Sequence, residues 1–274
     1  MSGATGTAGG TGTAGATRTA EDRARDRPWL LSGPHRPGAP RLYCFPHAGG
    51  NPVEYLRWAE LLPAVEIHVL QLPGRGARHD EPDPGSVEDL VAALTDGLLA
   101  DPGFADPRPY AFLGHSFGAL IAYETTRALR DGGRRLPAEL VVSAFPAPHT
   151  PVSAPDPDGL SDAALLRAVA DRHGGIPPEV LDSRLLRVLV ARPLRADLRL
   201  VAAYRHRPAV PLPVPLTVLG GTDDRVTEGA LNAWREHTAE SVTVHMSPGG
   251  HFYLRDHEEP FLDRLLDLLT PLAR

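Results

Sequence analysis

Apolar and polar positions along the chain follow a repeating order. Short, nearly continuous apolar runs stand between longer stretches whose apolar residues recur every three or four positions. The runs are Arg41-Leu42-Tyr43-Cys44-Phe45, Val65 to Leu72, Tyr110-Ala111-Phe112-Leu113, Glu139 to Phe145, Val214 to Gly220 and Val242 to Met246. Their length and composition predict strands buried on both faces. The amphipathic stretches run from about Val53 to Leu62, Ser86 to Leu99, Ala119 to Arg130 and Glu258 to Leu272, and predict helices. Ser86 is placed to cap the second, with Glu88 and Asp89 in its first turn, and the third stops at Gly132-Gly133. Strands alternating with helices predict an α/β fold, a mostly parallel central sheet flanked by helices.

One stretch breaks the alternation. From about residue 147 to 207, helical patterns over Leu160–His173, Leu181–Val190 and Leu194–Tyr204 succeed one another with no strand between them. It reads as a helical insertion lying over a site, a lid. Residues 1–27 repeat Gly, Ala and Thr without a period and end in a charged patch. Such a segment buries too little apolar surface to offset its ordering entropy and is expected to be a disordered tail; it has no apolar core of a signal peptide. Residues 28–274 are long enough for one domain with a sizeable core.

Composition narrows the function. A hydrophobic share of 42% and a charged share of 23% are those of a globular domain. A net charge of −6 offers no basic field for nucleic acid. No run approaches the ~18 apolar residues of a membrane helix, so no membrane association is expected. The single Cys44 excludes an intrachain disulfide and fits a cytoplasmic location.

The chemistry centres on Gly114-His115-Ser116-Phe117-Gly118, which fits G-x-S-x-G between a predicted strand and a predicted helix. That context is the nucleophile elbow of α/β-hydrolases: a strained turn projects the hydroxyl, and glycines on either side let strand and helix pass closely. A serine hydroxyl needs a base, and the base needs a carboxylate to hold its tautomer. In this fold the acid and then the histidine follow the serine. Past the strand ending near Gly220 lies Gly220-Gly221-Thr222-Asp223-Asp224. The G-x-x-D spacing behind Gly220 favours Asp223 as the acid and leaves Asp224 as a surface or loop-capping residue. His251, in the Gly249-Gly250-His251-Phe252 loop after the last strand, is the expected base. His115 should point away from the serine. His47 sits in the loop expected to face the site, and His206, His237 and His245 are expected to be structural or solvated. The oxyanion hole is expected from two backbone N–H groups, those of Phe117 and of Ala48 in the His47-Ala48-Gly49-Gly50 loop.

Several pieces together carry a resemblance. Phe45-Pro46-His47-Ala48-Gly49-Gly50, Leu72-Pro73-Gly74-Arg75, Gly114 to Leu120, Leu194-Arg195-Ala196-Asp197, Gly220 to Asp223 with Ala233-Trp234 behind it, and Gly249 to Phe252 span nearly all of residues 41–272. With them the chain resembles the type II thioesterases that serve polyketide and nonribosomal peptide synthases. The resemblance implies an α/β-hydrolase fold with a helical lid, no cofactor and no metal. It implies hydrolysis of acyl groups from the phosphopantetheine arm of acyl or peptidyl carrier proteins, clearing stalled or misprimed synthases. It carries over Ser116 as nucleophile, Asp223 as acid and His251 as base. Phe117 departs from the family's more usual Met and puts a bulkier ring by the acyl pocket. A carboxylesterase or lipase acting on free esters would use the same three residues; a catalytically inactive carrier-binding module would not need them intact. An acidic carrier protein would be received by arginines, and of the clusters Arg127/Arg130/Arg134/Arg135 and Arg184/Arg187/Arg192/Arg195 the second is expected to do so. A monomer is expected.

Overall fold

The structure is a computed structural model and describes residues 28–273. The expected tail over residues 1–27 lies outside the described residues. The chain runs β1 (Leu30–Ser32), β2 (Arg41–Phe45), α1 (Pro52–Leu56), α2 (Trp58–Leu61), β3 (Glu66–Leu70), α3 (Val87–Ala100), β4 (Tyr110–His115), α4 (Phe117–Asp131) and β5 (Glu139–Ser143). Then come α5 (Asp162–His173), α6 (Pro178–Asp182), α7 (Arg184–Ala203), β6 (Leu216–Gly221), α8 (Glu228–Asn232), β7 (Val242–Ser247), α9 (Tyr253–Asp256) and α10 (Glu258–Leu269).

Seven strands form one sheet in the order β1-β3-β2-β4-β5-β6-β7. Every pairing is parallel except that of β1, which lies antiparallel on β3 with Leu30 opposite Leu70. All five residues of β2 are buried, because both of its faces are covered. Tyr43 and Phe45 pack with Phe112, Leu94 of α3 and Leu120 of α4 on one side. Leu42 and Cys44 pack with Ile67, Trp58 of α2 and Leu265 of α10 on the other. Helices therefore sandwich the sheet, and the carboxyl ends of its central strands open toward α5–α7.

Those three helices form the expected lid, held by its own cluster of Leu165, Leu166, Val169, Ala191, Leu194 and Leu198. Here the sequence expectation needs one change. Two helical segments divided near Pro193 are a single helix, α7, which carries Pro193 in its interior. Pro193 removes one i→i−4 hydrogen bond, but the residue that loses its partner, Leu189, is 61% exposed, where water can take the place of the missing donor.

Candidate active site

Ser116 stands alone between the end of β4 and the start of α4, with φ 54° and ψ −124°. A non-glycine residue there stores on the order of 1–3 kcal/mol of strain, and packing must hold it. The Ser116 N–H donates to the Ser143 carbonyl of β5 at 2.7 Å, pinning the turn to the neighbouring strand. A Cβ on Gly114 would strike the Gly118 carbonyl, and one on Gly118 would strike the Phe45 carbonyl, so both flanking positions exclude any side chain.

The turn brings the serine to the expected histidine. His251 Nε2 lies 2.9 Å from Ser116 Oγ, and His251 Nδ1 lies 2.8 Å from a carboxylate oxygen. That carboxylate belongs to Asp224, not to the expected Asp223. The cause is a β-turn past β6. The Asp224 N–H donates to the Gly221 carbonyl, so Thr222 and Asp223 occupy the corners and face solvent, while Asp224 is returned over the sheet edge. The Thr222 and Asp223 N–H groups bond Ser247 and Gly249, which ties this turn to the loop of His251. The side chain of Asp224 is 1% exposed. Burial alone would raise its pKa. The hydrogen bond from His251 and the N–H groups of Arg225 and Val226 favour the carboxylate and hold its pKa below the ordinary value, so the group is an anion. An ionised Asp224 places the proton on His251 Nδ1 and leaves Nε2 to accept from the Ser116 hydroxyl.

The loop after β2 supplies a donor by elimination. The His47 N–H bonds the Tyr55 hydroxyl at 3.4 Å, the Gly49 N–H bonds Asp197 Oδ2 at 2.7 Å, and the Gly50 N–H turns back to the His47 carbonyl at 2.8 Å. Ala48 is left with its N–H unused at the cavity that Ser116 and Phe117 also line. The Phe117 N–H opens α4, where helix geometry provides no partner.

Asp197 explains two sequence pieces that had no role in the expected chemistry. Besides Gly49 it accepts from Arg75 Nη2 at 2.7 Å, and both of those side chains are buried. Asp197 thus clamps the Ala48 loop to α7 and to the loop after β3. Gly49 meets the same helix so closely, at φ 68°, that a Cβ would stand 2.9 Å from Leu194 Cβ.

A cavity of about 280 Å³ opens at Ser116, walled by apolar side chains including Phe117, Phe145, Val152, Val169, Leu194 and Leu198. The ring of Phe117 is 1% exposed and packs into the main core while forming part of this wall. His115 points away from the serine, as expected, with Nδ1 2.9 Å from Ser143 Oγ. His47 Nδ1 lies 2.8 Å from the Tyr55 hydroxyl, and its Nε2 lies 3.2 Å from Arg255 Nη2. Burial, followed by Arg255, holds His47 well below its ordinary pKa and so keeps it neutral. His206 and His237 join His149, unremarked in sequence, where the lid meets the body, and His149 Nδ1 lies 2.7 Å from His237 Nε2. Three of the second arginine cluster bond to neighbouring segments, Arg187 to the Leu181 carbonyl, Arg192 to the His79 carbonyl and Arg195 to Asp162, while Arg184 and Arg192 are exposed. Arg187 and Arg195 brace the lid internally and Arg192 ties it to the loop after β3.

The sheet, the lid and the Ser–His–Asp arrangement define the α/β-hydrolase class. The thioesterase domain family model matches residues 40–269. The gramicidin S biosynthesis protein GrsT of Aneurinibacillus migulanus is 33% identical over 227 residues, 81% of this chain and 86% of that protein. Thioesterase PikA5 of Streptomyces venezuelae is 37% identical over 237 residues, 84% of this chain and 81% of that one. Among solved structures, the type II thioesterase BorB from the borrelidin biosynthetic cluster superposes with a TM-score of 0.77 at 33% identity, covering 90% of this chain and 98% of BorB. The chain belongs to the thioesterase family, and its relatives include type II thioesterases of polyketide and nonribosomal peptide pathways.

Proposed function

We propose that this thioesterase removes acyl groups from the phosphopantetheine arm of acyl or peptidyl carrier proteins by a two-step serine mechanism. The observation that carries it is the continuous chain Ser116 Oγ–His251 Nε2/Nδ1–Asp224 at 2.9 and 2.8 Å, opening beneath an apolar cavity. Ser116 gives its proton to His251 Nε2 as Oγ attacks the thioester carbonyl carbon. The negative oxygen that forms takes hydrogen bonds from the N–H groups of Phe117 and Ala48. The C–S bond breaks, and the pantetheine sulfur leaves as a thiolate that takes the proton from His251. Water then gives His251 a proton as it attacks the acyl-serine carbonyl, and the free acid leaves with Ser116 restored. The lid closes an apolar chamber over the acyl chain, and the buried Asp224 holds the imidazole in the tautomer that both steps require.

The test compares an acetyl or propionyl carrier-protein thioester with an alkyl ester of the same acid, for the native chain and for Ser116→Ala. The expected result is preference for the carrier thioester and loss of its hydrolysis in the variant. Turnover surviving Ser116→Ala refutes the nucleophile, and preference for the free ester refutes the carrier substrate.

A further inference from the structure

The lid brings a second imidazole onto the base. His173 is the last residue of α5, and its ring centroid lies 4.3 Å from that of His251. Its Nδ1 is buried and makes no hydrogen bond. His173, Asp224 and His251 each offer one ligand atom, and the three atoms lie within 4.8 Å of one another.

We propose that these three residues form a binding site for zinc, through which the ion reversibly shuts the enzyme off. Two imidazoles and one carboxylate are the donor set that zinc accepts when a fourth position is left to water, whereas magnesium wants oxygen ligands. Bonds of about 2.0–2.1 Å on a tetrahedral ion put donors about 3.3 Å apart. Asp224 and His251 already stand 2.8 Å apart, so the approach must come from His173, and the widest gap of 4.8 Å must close by about 1.5 Å. The chain is built for such a shift. Gly174 and Gly175 follow His173 with φ of 72° and 77°; the Gly175 carbonyl is held by Arg255, while nothing stands within 4 Å of a Cβ placed on Gly174, so the give at the helix end lies at Gly174. Arg172 and Arg225 line the same cavity and oppose a cation, which makes the ion an exchangeable ligand instead of a resident one.

The consequence rests on the reading of His251 as base. Zinc takes the Nδ1 lone pair, and the proton that Nδ1 carried moves to Nε2. The ring stays neutral, but Nε2 now donates toward Ser116 and can no longer accept its proton. Asp224 is drawn to the metal at the same time.

Calorimetry with zinc chloride on the Ser116→Ala protein tests the site without turnover. One zinc per chain is expected, with binding weakened at least about tenfold when His173→Phe is added, since phenylalanine keeps the ring packing and removes both nitrogens. In the native chain, zinc is expected to abolish hydrolysis of an acyl-pantetheine thioester, magnesium at equal concentration to leave it intact, and a chelator to restore it. Absence of zinc binding by Ser116→Ala, or equal zinc affinity with and without His173→Phe, overturns the proposal. A failure of the thioesterase reading would show differently, as hydrolysis surviving Ser116→Ala.

Discussion

Changing each of the two adjacent aspartates to asparagine separates the structure from the sequence spacing. Asp224 accepts from His251 Nδ1 at 2.8 Å and from the N–H groups of Arg225 and Val226. An amide in its place has only one accepting atom. If that oxygen serves the two backbone donors, the NH₂ group faces His251 and forces Nδ1 to accept, which puts the proton on Nε2. The base is then in the wrong tautomer, a change that costs on the order of 10⁴ in kcat in a comparable triad. At about 1.36 kcal/mol per decade this is about 5 kcal/mol of transition-state stabilisation. Asp223 is exposed at the turn corner, and its nearest side-chain partner is the Thr222 hydroxyl at 3.4 Å. Asp223→Asn should therefore stay within about twofold of the native rate. The assay follows thiol release from a propionyl-pantetheine thioester with a chromogenic disulfide, with circular dichroism to show that both variants fold. Asp224→Asn keeping more than about a tenth of the activity, or Asp223→Asn losing as much as Asp224→Asn, would refute the reasoning.

Three further outcomes follow from the same geometry. Asp197→Ala leaves the Arg75 guanidinium buried without its carboxylate and frees the Gly49 loop. Urea unfolding should show a loss of about 3–5 kcal/mol with a parallel fall in kcat, and an unchanged midpoint would remove the clamp. Ala48→Pro deletes the one unused N–H of the loop and should lower kcat about 10²–10³-fold with little change in KM, as active-site titration and steady-state kinetics would reveal. His237 is pushed down to about 4 from 6.5, first by burial and then by the charges of His206 and His149. The unfolded chain therefore binds the proton first, and stability should fall as pH drops from about 6.5 toward about 4. His237→Asn should flatten that slope in urea titrations at pH 7 and pH 5, and an unaltered slope would deny this histidine its part.

The sequence by itself determined the order of strands and helices, the lid, the elbow at Ser116 and the partner at His251. These are local matters. Buried strands such as Leu42 to Phe45 are apolar throughout, helices such as Val87–Ala100 begin at a capping Ser86, and the elbow needs Gly114 and Gly118 on either side of the serine. β1 escaped notice because three residues are too few to show a period; its place comes from the open edge of β3. The tertiary structure alone decided between Asp223 and Asp224. Twin glycines at 220 and 221 satisfy the same spacing for either residue, and only the turn that hydrogen-bonds Asp224 to Gly221 selects the one that faces inward. It alone also joined Asp197 to Arg75 and Gly49, residues 122 and 148 positions away, and set His173 of the lid against His251. Pairings at such separations follow from how the elements pack on the sheet, and no local pattern of apolar and polar residues encodes them.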